Sequence, residues 1–226
     1  VVELGGFDGA QSIQIGGLVY FENLPGYATV PLDEATLPGT PVSASPHNGG
    51  AILENEFMRV TVLPNGQLAE VFDKSLCRQI LQDGAMGNLL QAFEDRPICW
   101  DAWDIDPSFE DRTEIVAGDT VFDITETGPL RAAVRVTTKW RSSTITQTIH
   151  LTASSSRIDF VTNVDWHEQH TLLKAAFPTC IKAQDAEFDI QWGSVRRSTS
   201  RNTSFDAARF EVAAQKWARL NDDVLS

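Results

Sequence analysis

The chain has 226 residues, with 31 acidic against 18 basic side chains and a net charge of −13. That length allows one large β-domain, or one domain with a piece of another, and a chain of this size buries roughly 70% of its unfolded surface without staples. The acidity excludes nucleic-acid binding, which needs a basic patch, and disfavours anionic membrane surfaces. Cys77, Cys99 and Cys180 are widely spaced and odd in number, which fits thiols in a reducing compartment better than a disulfide framework. No signal-like segment opens the sequence, and no apolar run approaches the roughly 18 residues of a membrane span, so a cytoplasmic location is expected. The chain starts at Val1 and stops at Ser226 without punctuation, as an excised piece of a longer polypeptide would.

Residues 1–33 read as short strands with tight turns: Gly5-Gly6, Asp8-Gly9 and Gly16-Gly17 punctuate Ile13-Gln14-Ile15 and Leu18-Val19-Tyr20. Alone they are too few for a core and suggest the end of a small β-domain. Residues 34–50 are rich in Pro, Gly, Ser and Thr, with His47-Asn48-Gly49-Gly50 at the end, and have the composition of a linker. The large domain is expected over 51–226. It opens with a hairpin: Met58, Val60 and Val62 alternate with polar residues, Pro64-Asn65-Gly66 supplies the turn, and Leu68, Glu70 and Phe72 alternate on the return.

A further strand, Asn88 to Phe93, leads into Cys99-Trp100-Asp101-Ala102-Trp103-Asp104-Ile105-Asp106. Two tryptophans and three carboxylates mix on every side there, so neither a helix face nor an alternating strand explains them. A loop or strand end is expected. Aromatics beside acids suit the grip of a sugar ring; equally, the indoles could plug the rim of a core while the aspartates cap turns. Residues 107–119 look charged and irregular.

The clearest strand pair follows. Ala132, Val134, Val136, Thr138 and Trp140 share one face, Ser142-Ser143 turns the chain, and Ile145, Gln147, Ile149 and Leu151 alternate with Thr144, Thr146, Thr148 and His150 on the way back. Strict period-two patterning with one wet face predicts antiparallel pairing. His150 is expected to meet solvent or a cross-strand partner. Ile158, Phe160, Thr162, Val164 and Trp166 repeat the pattern. Asp165-Trp166-His167-Glu168-Gln169-His170 invites a metal reading, but the spacing differs from the helical zincin pair and no third ligand is evident. A hydrogen-bonded turn is expected instead.

Phe188, Ile190 and Trp192 alternate as another strand, broken at Gly193. The segment from Arg196 to Ser204 reads as a basic polar loop whose guanidinium forks could hold sugar hydroxyls or a neighbour's carboxylates. From Phe205 to Leu220, Ala207, Phe210, Ala214, Trp217 and Leu220 fall at helical spacing.

Several segments resemble glycoside hydrolase family 38, the α-mannosidases, closest to the bacterial and cytosolic branch. Asp95-Arg96-Pro97-Ile98-Cys99-Trp100-Asp101-Ala102-Trp103-Asp104 resembles "D-x-P-x-x-W-D-A-W-D". Leu24 to Leu32 resembles the strand that closes a small β-domain in these enzymes, and Leu53 to Val60 resembles the first hairpin of their large sandwich. Asp165 to Pro178 is similar to another of their sandwich segments, and Asn202 to Val212 to "N-T-S-x-D-x-A-R-F-E-V". There the last motif leads into extended structure, so extended chain is expected over 205–220 despite the helical spacing.

The resemblance implies an all-β fold: a large antiparallel sandwich of the galactose-mutarotase-like kind, after a remnant of a small β-domain. It implies the non-catalytic C-terminal part of a retaining α-mannosidase. Zinc and the nucleophile would lie in a separate N-terminal β/α domain of the same polypeptide; the "H-x-D" metal motif and a match to the nucleophile are absent from this sequence, so no cofactor is expected in it. Trp100, Asp101, Trp103, Asp104, Arg201, Asn202, Asp206 and Arg209 would form the pocket edge or the contact with that domain. The expected partners are that domain and mannose-containing carbohydrate; a homo-oligomer stays open. The alternative is a stand-alone carbohydrate-binding sandwich. An immunoglobulin-type sandwich lacks its Cys-Trp-Cys framework here.

Overall fold

The computed structural model describes residues 2–3, 18–21, 38–101 and 103–221. Two short strands, β1 (Val2–Glu3) and β2 (Leu18–Val19), pair antiparallel; the rest of the segment expected as a small β-domain lies outside the described residues. An antiparallel meander follows, β3 (Ser43–His47), β4 (Gly50–Glu54), β5 (Met58–Val62), β6 (Leu68–Asp73) and β7 (Arg78–Gln79), in that order across one sheet. The expected Asn65-Gly66 turn joins β5 to β6: Gly66 adopts φ +81° and its N–H bonds to Leu63 O at 2.9 Å.

The stretch expected as a linker is therefore ordered from Ser43 onward. Its Ser and Pro residues sit on an edge strand, where Pro46, opposite Ala51, leaves no ladder bond unmade on the outer side.

The chain continues through β8 (Leu89–Glu94), a 3-10 helix (Pro107–Asp111) and β9 (Thr113–Ile115). Residues 107–119 are thus more regular than their charge suggested. Four long strands then form a second meander: β10 (Asp119–Thr127), β11 (Arg131–Trp140), β12 (Ser143–Thr152) and β13 (Ile158–Asp165). The β11–β12 register runs unbroken from Arg131↔Thr152 to Trp140↔Ser143, as the alternation required. His150 stands opposite Asp159 on β13, with Nε2 3.5 Å from its carboxylate. β14 (Thr171–Ala176) returns to pair with β8, whose other edge carries β9.

A hairpin of β15 (Asp185–Ile190) and β16 (Gly193–Ser198), one helical turn α1 (Ser204–Ala208) and β17 (Ala218–Leu220) complete the described chain, with β15 between β16 and β17. Two expectations are corrected here. Arg196 and Arg197 belong to a strand rather than a loop, and the segment expected to be extended begins with the turn α1.

The two meanders stack face to face: the antiparallel pairing that the patterning implied, in the all-β sandwich that the resemblance implied. Leu53, Val60 and Val62 from the first meet Val134, Ile149 and Leu151 from the second in one core, each with essentially no exposure. Apolar burial of this kind contributes about 25 cal/mol per Å² and is the main stabilising term. Two polar side chains in the interior are matched rather than excluded. Gln147 faces inward among aliphatics, and its amide trades hydrogen bonds with that of Asn88 (2.9 and 3.3 Å). Asn55 donates to Thr152 O and Ser155 O, both at 2.7 Å, and accepts from the N–H groups of Phe57 and Met58. All four of its amide positions are used, which ties the β4–β5 turn to the end of β12. A smaller core, Ala92, Val116, Trp140 and Ile145, closes the end of the sandwich under the β8–β9–β14 sheet.

Candidate functional site

The Trp-Asp segment grows out of this second end. β8 stops at Glu94, and Asp95 N still donates to His170 O at 2.9 Å. The chain then leaves the sheet. Trp100 takes φ +62°, and its carbonyl accepts both Trp103 N–H (2.7 Å) and Asp104 N–H (3.0 Å). That tight turn holds both indoles outward, Trp100 72% and Trp103 91% exposed. The tryptophans are not plugs of a core rim. Asp104 accepts from Ile105 N–H and so serves the turn; Asp101 lies 3.7 Å from His170 Nδ1. Ala102 is outside the described residues.

Asp95 sits behind this loop. Its Oδ1 is buried without a hydrogen-bond partner among the described residues. Burial pushes its carboxyl above the usual range; the charge of Asp101 adds to this and His170 opposes it. A carboxyl raised in the folded state binds its proton more tightly than in the unfolded chain, so its ionisation subtracts stability as pH rises through that range. Asp95→Asn is therefore expected to raise the melting temperature at pH 7. The gain should narrow as pH falls through the raised folded value toward the ordinary carboxylate range, where both states become protonated. A constant gain across that window in thermal scans would contradict the assignment.

The second candidate segment is docked on the first through the 3-10 helix. Arg201 donates two bonds to Glu110, at 2.9 and 3.0 Å, and this guanidinium holds the Glu110 carboxyl below its ordinary range. The ring of Phe109 lies 5.1 Å from that of Phe93 and 6.0 Å from that of Phe210. Lys174 of β14 places its ammonium 4.2 Å from the Phe109 centroid and pairs with Glu211. Asp206 is committed to its own turn: Thr203 Oγ1 accepts from Asp206 N, and the Asp206 carboxylate accepts from Thr203 N and Oγ1, a capping box that starts α1. Asn202 and Arg209, at either end of that turn, are exposed.

Arg201 and Phe210 thus reach the 3-10 helix that follows the Trp-Asp loop, through Glu110 and Phe109. Phe109, Lys174, Glu110 and Glu211 are the residues that sequence reasoning missed. In the run of acids and basics, Asp165 and His167 pair at 3.0 Å. Glu168 caps the β11–β12 turn by accepting from Ser142 N and Ser143 Oγ. Among the described residues, no group of three or more His, Cys, Asp or Glu is arranged to hold a metal ion.

Comparison with known proteins adds to this geometry. The glycosyl hydrolases family 38 C-terminal domain matches residues 53–225. The chain belongs to that family. It is 39% identical to Alpha-mannosidase G of Dictyostelium discoideum over 195 residues, which cover 82% of this chain and 18% of that protein. It is 34% identical to human Alpha-mannosidase 2C1 over 203 residues, 87% of this chain and 20% of that one. The chain therefore spans about a fifth of the length of the curated relatives it matches. The crystal structure of an alpha-mannosidase from Enterococcus faecalis V583 superposes with a TM-score of 0.56 at 16% identity, over 70% of this chain and 21% of that one. That likeness is one of fold.

Proposed function

We propose that this family 38 C-terminal domain is the non-catalytic β-sandwich part of an α-mannosidase, completing the active site of an N-terminal β/α catalytic domain of the same polypeptide. The observation that carries the reading is the outward display of Trp100 and Trp103 on a loop braced from behind. Ile98 of the same loop (94% exposed) and Phe205 of α1 (76%) are also displayed, and exposed apolar surface of this kind marks contact surfaces. Trp100, Asp101, Trp103 and Asp104 supply its loop half; Arg201, Asn202, Asp206 and Arg209 supply or shape the other. Zinc and the nucleophile belong to the catalytic domain. Asp104 and Asp206 serve turns, and Glu94 and Glu110 are held in ion pairs, whereas a retaining mechanism needs two carboxyl groups about 5–5.5 Å apart across a sugar. Three cysteines without a disulfide support a cytoplasmic setting.

The test is hydrolysis of an aryl α-mannoside by the 226-residue chain and by the longer polypeptide that carries the catalytic domain. Only the longer form is expected to turn over. Turnover by the chain alone overturns the reading. Millimolar or tighter binding of mannose to the chain by calorimetry, with no effect of the chain on the catalytic domain, would favour the stand-alone carbohydrate-binding module.

A further inference from the structure

At the end of β8, beside Glu94, lies a cleft of about 320 Å³, walled by Arg96, Arg112, Arg141, Glu94, Glu114 and His170. In a chain of net charge −13, three guanidinium groups around one cleft stand out. The hydrogen bonding inside it is lopsided. Both oxygens of Glu94 are taken, by Arg96 Nε (2.7 Å) and by a nitrogen of Arg112. Both oxygens of Glu114 are taken, by Trp140 Nε1 (3.0 Å) and a terminal nitrogen of Arg141 (2.8 Å). Each of these four oxygens already accepts one donor and keeps one lone pair. Each arginine, by contrast, commits one of its three nitrogens to these carboxylates, and a guanidinium carries five N–H donors in a fixed fork. The donors are in surplus.

The placement is also built rather than incidental. Glu94 holds two of the forks at the end of β8, and Arg141, in the β11–β12 turn at φ +52°, lies 4.3 Å over the Trp140 ring, which itself stacks on Trp166 at 5.7 Å. A cleft with three guanidinium groups against two carboxylates, and more N–H donors than free lone pairs, favours a ligand that brings acceptors and negative charge. Its volume exceeds that of a bare phosphate and suits a small molecule carrying one. A neutral hexose, whose hydroxyls need acceptors as well as donors, is the poorer match.

We propose that the Arg96–Arg112–Arg141 cleft is a binding site for the oxyanion group, phosphate or carboxylate, of a small ligand of monosaccharide size. The inference stands independently of the mannosidase reading, and either can fail without the other.

The test is titration of the purified chain, at low ionic strength, with inorganic phosphate, a hexose 6-phosphate, glucuronate and unmodified glucose, followed by calorimetry. The phosphate ester and glucuronate are expected to bind, and glucose to bind at least about tenfold more weakly. The ratio between the ester and glucuronate separates a phosphate site from a carboxylate site. Arg96→Gln with Arg112→Gln should weaken the charged ligands about tenfold or more, and added salt should do the same. Near-ultraviolet circular dichroism of the Trp140–Trp166 stack reports whether each variant keeps its fold. Equal affinity for glucose and the hexose phosphate, no binding of any oxyanion, or affinities untouched by the arginine substitutions in folded variants would overturn the proposal.

Discussion

Phe109→Ala is expected to cost the chain about 3 kcal/mol of stability, measured by urea unfolding with an unchanged slope. The ring is 4% exposed and belongs to a 3-10 helix of five residues, an element too short to persist on its own hydrogen bonds. What keeps it in place is the ring, lying between Phe93 on the sheet and Phe210 on the arm that follows α1, with the Lys174 ammonium at one face. Removing it takes away the transfer term of a buried aromatic and leaves a hole that neither neighbour can fill without moving the helix. The two exposed ion pairs beside it, Arg201–Glu110 and Lys174–Glu211, cannot compensate, because pairs at this exposure contribute at most about 1 kcal/mol each. Phe109→Leu should recover most of the loss. A cost below about 1 kcal/mol for the alanine variant would mean that the arm is held by something other than this stack.

That stack also marks the boundary of what the amino-acid order discloses. The long strands were legible because period-two alternation is local and one-residue slips would expose the whole apolar set; β11 and β12 keep the pairing implied by Val134 and Ile149. Even the inward Gln147 fitted the pattern, though its partner Asn88, 59 residues earlier, did not show. β3 was hidden by composition: Ser and Pro signal a linker unless an edge strand accepts them. α1 was hidden by competition between two cues. The Thr203–Asp206 capping box is a genuine helix start, but the helical spacing beyond it is not followed. Instead the chain turns at Arg209 so that Phe210 can reach Phe109. The bracing contacts span 91 residues for Arg201–Glu110 and 37 for Lys174–Glu211, separations at which no spacing rule operates. The candidate residues were visible by type and by resemblance; what holds them together was not.

Trp103→Ala should separate the two roles open to the displayed loop. In the chain itself the indole is 91% exposed and its truncation removes almost no buried area, so the unfolding midpoint should not move. In the longer polypeptide the same change is expected to lower kcat/KM for an aryl α-mannoside about thirtyfold, the scale of losing one aromatic anchor from a desolvated contact. How the loss divides decides the role. If the indole edges the sugar pocket, KM carries the loss while the melting temperature of the full polypeptide stays put. If it anchors the catalytic domain instead, kcat falls and the two domains unfold at separated temperatures, because the interface that couples them has lost its centre. Trp100→Ala, on the same turn, should follow Trp103→Ala in sign, and Arg201→Gln should do so more weakly through the released 3-10 helix. Wild-type kinetics together with wild-type melting for Trp103→Ala would remove the loop from both roles and, with it, the ground for assigning this domain a share in the site.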